Sequence, residues 1–343
     1  SAISTQYLAQ APLFSFEVDL WGRVATLTEA ARRRYLASFE AERAFRISLI
    51  ANVAATYYAI LAGQEGTELA SRTLDARRYG LEMARLRLDA GVTSLADYDQ
   101  AAILVTQAQG QLAELQRLSE QLANRLMILV GRPIADELPA HRAIRDAGQY
   151  PLIASGLPSD LLTRRPDILQ AEHQLRAAHA DIGAARANYF PRIALTGNVG
   201  YVSPELDSLL QSNRQIWSLA GSVSLPIFDA GRRAAVLEQT RARRDELVAN
   251  YQRTVQTAFG EVSDALIARR RYHEQIEAQE QAVAAQQRLA ETAELRYQNG
   301  ISIYLEVMDA KRNQFAGEQQ LIQLRAVELQ NTVTRYVAMG GGL

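Results

Sequence analysis

The sequence predicts a mainly α fold with a small β part, in which two long antiparallel helical hairpins accompany a few short strands. Three observations carry that prediction. The stretch from Leu295 to Ala310 has an earlier counterpart from Leu86 to Ala101, 209 positions before it (Gly91 to Gly300). The same offset joins Gly22 to Gly231, Glu29 to Glu238, Leu112 to Leu321, Leu115 to Leu324 and Gly131 to Gly340, and a gap-free register of that length marks a duplicated supersecondary unit. From Val24 to Ala90 there is no proline, and at 1.5 Å per residue a helix there would run for roughly 100 Å. Finally, three runs alternate apolar and polar residues with the period of a strand.

In chain order, the first alternating run is Leu13 to Leu20, with Phe14, Phe16, Val18 and Leu20 opposite Ser15, Glu17 and Asp19. The helical pattern that follows stops at Gly91, a residue that accepts the left-handed conformation closing a helix. Thr93 or Ser94 can then cap the return helix, and Ser302 does the same after Gly300 in the second copy. Each copy reads as the tip of a helical hairpin. The return helix, about Leu95 to Val130, carries Leu115, Leu118, Leu122, Leu126 and Leu129 at intervals of three and four, a seam suited to coiled-coil packing.

Gly131-Arg132-Pro133 ends the first repeat, residues 1–131. Residues 132–158 hold Pro133, Pro139, Pro151 and Pro158 and form a connector, and residues 159–343 form the second repeat. Pro166 suits the first turn of a helix reaching about Asn188. Two further strands follow: Ile193, Leu195, Val199 and Tyr201 against Arg192, Thr196 and Asn198, then Trp217, Leu219, Val223, Leu225 and Ile227 against Ser218, Ala220, Ser222 and Ser224. Both runs have the length and aromatic flanks of a strand crossing an outer membrane, and both would also suit a soluble sandwich. Helices of about 100 Å favour the membrane reading, because they fit no compact soluble domain.

Composition excludes several function classes. A formal net charge of −1 provides no field to attract nucleic acid. The chain has no cysteine, so thiolate metal sites and disulfides are absent. His141, His173, His179 and His273 lack metal-ligand spacing, and neither a phosphate loop nor a nucleophile elbow occurs. The expectation is no metal, no cofactor and no enzyme. No signal segment stands at Ser1. The most apolar helical run, Leu49 to Ala62, is broken by Asn52 and Thr56, so entry into a membrane is expected through strands.

The block from Gly156 to Ile168, then Glu172-His173-Gln174-Leu175, Ile182-Gly183-Ala184-Ala185-Arg186-Ala187, Phe190-Pro191, Leu225-Pro226-Ile227-Phe228, the hairpin tips and the terminal glycines resemble the TolC-like outer-membrane efflux factors. The branch resembled is the one serving resistance-nodulation-division (RND) drug pumps, and the likeness covers essentially the whole chain. It implies a homotrimer whose strands share one transmembrane β-barrel in the bacterial outer membrane, surrounded by lipid and continued by an α-helical barrel into the periplasm. The implied partners are a periplasmic adaptor (membrane fusion) protein and an inner-membrane RND pump. Backbone chemistry agrees, since so few strands cannot close a barrel alone and open edges in lipid leave backbone groups unpaired. The family pattern has four strands per protomer and three are found here. The resemblance therefore implies that roughly the first hundred family residues are missing, with the signal peptide, any lipidated cysteine and one strand.

The resemblance also implies a gate where the tips converge. Leu305 and Asp309, one helical turn apart, form the constriction, and three copies of Asp309 make a carboxylate ring that favours cations. Tyr297 and Arg312 match positions whose bonds to neighbouring helices hold the tips shut, with Asp97, Asp99 and Gln100 as partners at the first tip. Opening is a swing of one hairpin against the other, driven by the adaptor. The adaptor-facing residues are Gly91, Val92, Thr93 and Ser94 on one tip and Gly300, Ile301 and Ser302 on the other. The competing reading is a soluble coiled-coil scaffold or interaction protein.

Overall fold

The computed structural model describes residues 5–133, 144 and 163–341. Its elements are β1 (Tyr7–Glu17), α1 (Arg23–Asp89), α2 (Leu95–Val130), α3 (Pro166–Ala187), β2 (Arg192–Ser203), β3 (Gln215–Ser224), α4 (Arg232–Gln298) and α5 (Tyr304–Ala338). Both α1 and α4 have 67 residues. Gly22, Gly91 and Gly131 all have positive φ, and so do Gly231, Gly300 and Gly340, their counterparts 209 positions on. The connector expected at 132–158 lies outside the described residues apart from Arg132, Pro133 and Ile144.

Two compact units share these elements and cut across the repeats. The first comprises Ser1–Glu42 and Pro166–Gln256. Its sheet has the order β1-β2-β3, antiparallel throughout. The first strand differs from its sequence expectation: it begins at Tyr7, not Leu13, and ends at Glu17. Alanines and Pro12 hid the alternation of its first half. At its far end the Asp19 carboxylate turns to the start of α1 and accepts the amides of Ala25 at 2.7 Å and Val24 at 3.0 Å. Those bonds, Ala25's first, hold the Asp19 carboxyl below its ordinary range.

The register sorts the side chains. Phe16 pairs with Leu195, Ala11 with Val199 and Ala9 with Tyr201, while Ile193 pairs with Val223, Gly197 with Leu219 and Val199 with Trp217. Residues paired directly across an antiparallel sheet share a face, so one face collects most of the large apolar side chains. The opposite face holds Gln10, Ser15, Thr196, Asn198, Ala220, Ser218 and Ser222, with the apolar Leu8, Val202 and Ile216 gathered at its end near Val202. A bulge between Pro12 and Phe14 makes this possible, because the extra residue lets Tyr7, Ala9 and Ala11 share a face with Phe14 and Phe16. The apolar face is uncovered, with Trp217 79% exposed. The third strand stops at Ser224, so Leu225 and Ile227 continue beyond the sheet, with Pro226 between them.

The second unit comprises Arg43–Arg165 and Thr257–Leu343. Its core joins Tyr58, Leu61 and Leu69 of α1 to Phe315, Ile322 and Leu329 of α5, with Leu112 and Leu115 of α2 alongside and Ile144 inserted. Pairs of helices close further clusters, α1 with α2 around Ile60 and Leu126 and α4 with α5 around Ile276, Val283 and Leu321. Arg165 is buried at the end of α5, donating to the Ala338 carbonyl at 3.1 Å and pairing with Glu261 at 2.7 Å.

One stretch of α1 is apolar and long enough to cross a membrane by length and composition alone, a test that a core helix also passes. Thr56 is buried and donates its hydroxyl to the Asn52 carbonyl at 2.7 Å, so it interrupts the apolar pattern without leaving a polar group unpaired.

Candidate functional site

Both tips belong to the second unit. At the first, the amide of Val92 bonds the Arg87 carbonyl at 2.9 Å and that of Gly91 bonds Leu88 at 2.9 Å, the closing pattern that positive φ at Gly91 permits. Ser94 then caps α2: its Oγ accepts the Asp97 amide at 3.2 Å, and the Asp97 carboxylate returns to the Ser94 amide at 3.3 Å. Thr93 donates to the same carboxylate at 2.7 Å. The hydroxyls of Thr93 and Ser94, in that order, hold the Asp97 carboxyl below its ordinary range. Asp97 is therefore committed to its own helix cap. Asp99 is exposed and Gln100 half-buried, and neither side chain has a hydrogen-bond or ion-pair partner among the described residues.

The second tip closes in the same way, with Gly300 bonding Tyr297 at 3.0 Å and Ile301 bonding Arg296 at 2.9 Å. Its continuation differs. The cap position of α5 is Ile303, which offers no side-chain oxygen, so the cap expected from Ser302 does not form. Ser302 occupies the position of Thr93, one residue before the cap, and its Oγ is buried without a partner. The first turn of α5 thus begins with its amide groups unsatisfied by any side chain.

That turn carries the predicted constriction. Leu305 is 45% exposed, and Asp309, partly exposed, follows it on the same helical face. Among the described residues the ion pair of Arg312 is with Asp309, at 2.7 Å along α5. Tyr297 reaches a neighbouring helix, since the guanidinium of Arg87 in the last turn of α1 lies 4.4 Å from its ring centre. Sequence reading missed Arg87, whose partner is contributed by a helix some two hundred residues away. Beneath these residues Ala290, Ala293, Val307 and Ala310 bring α4 and α5 close together, and Lys311 bonds Glu294 at 2.9 Å. Among the adaptor-facing candidates, Gly91, Val92, Ser94, Gly300 and Ile301 are exposed, while Thr93 and Ser302 are half-buried. No cluster that could hold a metal ion occurs among the described residues.

Comparison with known proteins gives one consistent family. The model for outer membrane efflux proteins matches residues 1–132 and 157–341. A toluene efflux pump outer membrane protein of Pseudomonas putida, TtgC, is 42% identical over 342 residues, which cover all of this chain and 70% of the relative. The outer membrane protein OprJ of Pseudomonas aeruginosa is 39% identical over 346 residues, again all of this chain and 71% of the relative. A crystal structure of a membrane protein from Pseudomonas aeruginosa superposes with a TM-score of 0.89 at 36% identity, covering 99% of this chain and 81% of that one. The open state of the Neisseria gonorrhoeae MtrE outer membrane channel superposes at 0.87 with 33% identity, covering 99% and 80%.

Proposed function

Because this chain belongs to the outer membrane efflux protein family, we propose that it is the channel subunit of a tripartite efflux pump, passively conducting drugs and other small molecules from the periplasm to the exterior. It is a protein of the outer membrane, in a family of channels and efflux components. The observation that carries the reading is the sheet's register, which puts most of the bulky apolar residues, the aromatic ones among them, on one uncovered face and mainly small or polar ones on the other, Leu8, Val202 and Ile216 at one end excepted. A strand whose one side meets lipid and whose other side meets water needs that division. A soluble scaffold would leave the same face in water.

The sheet ends in two unpaired edges, β1 and β3. In lipid those edges need partners, and copies of the same chain supply them in a closed homotrimer. Conduction requires no catalytic group, and we assign none. The route is shut where the tips converge, by Leu305 sterically and by dewetting, and by a three-fold ring of Asp309 that admits cations more readily than anions. Tyr297 and Arg312 stabilise the shut arrangement, Tyr297 across to α1 and Arg312 by orienting Asp309. Asp99 and Gln100 are free to meet a sibling subunit, whereas Asp97 shapes the first tip. The exposed residues Val92 and Ile301, at equivalent positions of the two tips, offer apolar contacts to a periplasmic adaptor, which links the channel to an inner-membrane RND pump.

Single-channel recording of the full-length protein in planar bilayers tests the gate. Asp309→Ala and Leu305→Ala raise conductance several-fold, and Asp309→Ala also weakens cation selectivity. Equal conductance in wild type and both variants would remove the gate from this position.

A further inference from the structure

Near the tips, α1, α4 and α5 line a groove of about 1120 Å³, and one chain of contacts in it has no part in the constriction itself. The Arg87 guanidinium covers the ring of Tyr297 at 4.4 Å, and Tyr297 leans on Tyr304 with ring centres 5.1 Å apart and planes 49° apart. The Tyr304 hydroxyl in turn fills the space over Gly80, where an added Cβ would lie 2.8 Å from it. Glycine inside a helix costs about 1 kcal/mol relative to alanine. Its φ here is not positive, so the ring it admits accounts for it. Neither the Arg87 guanidinium nor the Tyr297 hydroxyl has a hydrogen-bond or ion-pair partner among the described residues, so the guanidinium's contact is with the ring face.

We propose that Arg87 is a positioning residue that pins the first hairpin to the second in the shut arrangement by gripping the face of Tyr297, with Tyr304 seated over Gly80 as its support. The inference deepens the gate reading and rests on it for its functional consequence. A planar guanidinium over an aromatic ring is attracted by the ring's quadrupole, and neither a phenol hydroxyl nor a carboxylate is required. Lysine does not reproduce the stacked geometry. Loss of such a contact shifts the equilibrium between shut and open by roughly two- to thirty-fold, according to how far it is desolvated.

Hydrogen exchange at both tips of the full-length protein measures the pin directly, and conductance measures its consequence. Arg87→Ala, Arg87→Lys and Tyr297→Ala accelerate exchange at residues 88–94 and 298–304 and raise conductance. Tyr297→Phe, which keeps the ring and removes the hydroxyl, exchanges more slowly at both tips than Tyr297→Ala. Gly80→Ala displaces Tyr304 and acts in the same direction as Arg87→Ala. Wild-type exchange in Arg87→Ala overturns the pin, as does a Tyr297→Phe variant that loosens as much as Tyr297→Ala. Asp309→Ala recorded alongside separates the two claims: if it conducts like wild type while Arg87→Ala loosens the tips, the gate fails and the pin stands.

Discussion

Ile303→Ser should strengthen the second tip, and the size of the effect follows from the first. Ile303 has φ −79° and ψ 155°, the extended conformation of a cap residue, and is 64% exposed, so little core packing is lost with its side chain. Glu306 stands three residues on, where Asp97 stands relative to Ser94. The substitution therefore creates a serine cap with an acid positioned to bond back to the cap amide, the reciprocal pair that closes the first tip at 3.2 and 3.3 Å. Such caps contribute about 1 kcal/mol, within a range of roughly 0.5–2, so opening of the first turn of α5 should fall about five-fold. Hydrogen exchange at Glu306 and Val307 reads that change, and Ser94→Ala should produce the mirror effect at Asp97 and Tyr98. If Ser94→Ala speeds exchange as expected while Ile303→Ser leaves the second tip unchanged, the missing side-chain cap is not what distinguishes the tips.

Three further outcomes follow. The folded Asp97 carboxyl lies below its ordinary value of 3.8, so its contribution is complete above that value and is lost as pH falls through the lowered folded one; exchange at the first tip, corrected for intrinsic rate, should stay flat above about pH 5 and rise below it, and Asp97→Asn should abolish the dependence. Arg165→Ala removes a side chain that is 6% exposed, leaving the Ala338 carbonyl without that donor while the Glu261 side chain, 44% exposed, rehydrates; the cost is about 2–3 kcal/mol, at the low end for a broken buried pair, against less than about 1 for Glu261→Gln, and equal melting temperatures for Arg165→Ala and wild type would contradict this. A Cβ at Gly197 would collide with the Phe14 ring, so Gly197→Ala should cost about 1–3 kcal/mol of overpacking and lower the melting temperature of the detergent-solubilised full-length protein, with Phe14→Ala in the same chain recovering most of it.

The long helices and both bends were legible because their signals are local and redundant: a proline-free pattern, a glycine that takes positive φ and a matching offset in the second copy. The face-sorting of β2 and β3 was legible for the same reason. The first half of β1 was not, since Ala9 and Ala11 give a strand too little contrast and Pro12 argues against one. At the tips, the sequence could place Thr93, Ser94 and Ser302 near a helix start but could not choose which residue caps. Ser302 has the right chemistry one position too early, and the cap position went to Ile303. The Arg87 contact was invisible for a different reason. The guanidinium of α1 and the ring of α4, in separate repeats, meet only once the two hairpins have packed together, and no periodicity records that.

The extra residue at Leu13 has a consequence of its own. A one-codon deletion there would mend the ladder into an unbroken strand that pairs better on paper, yet it would rotate everything before it by half a turn. Gln10 would then be driven into hydrocarbon while Tyr7 crowded the aqueous side. A defect in hydrogen bonding is thus what keeps the strand's two halves in phase, and repairing it would do more harm than most substitutions.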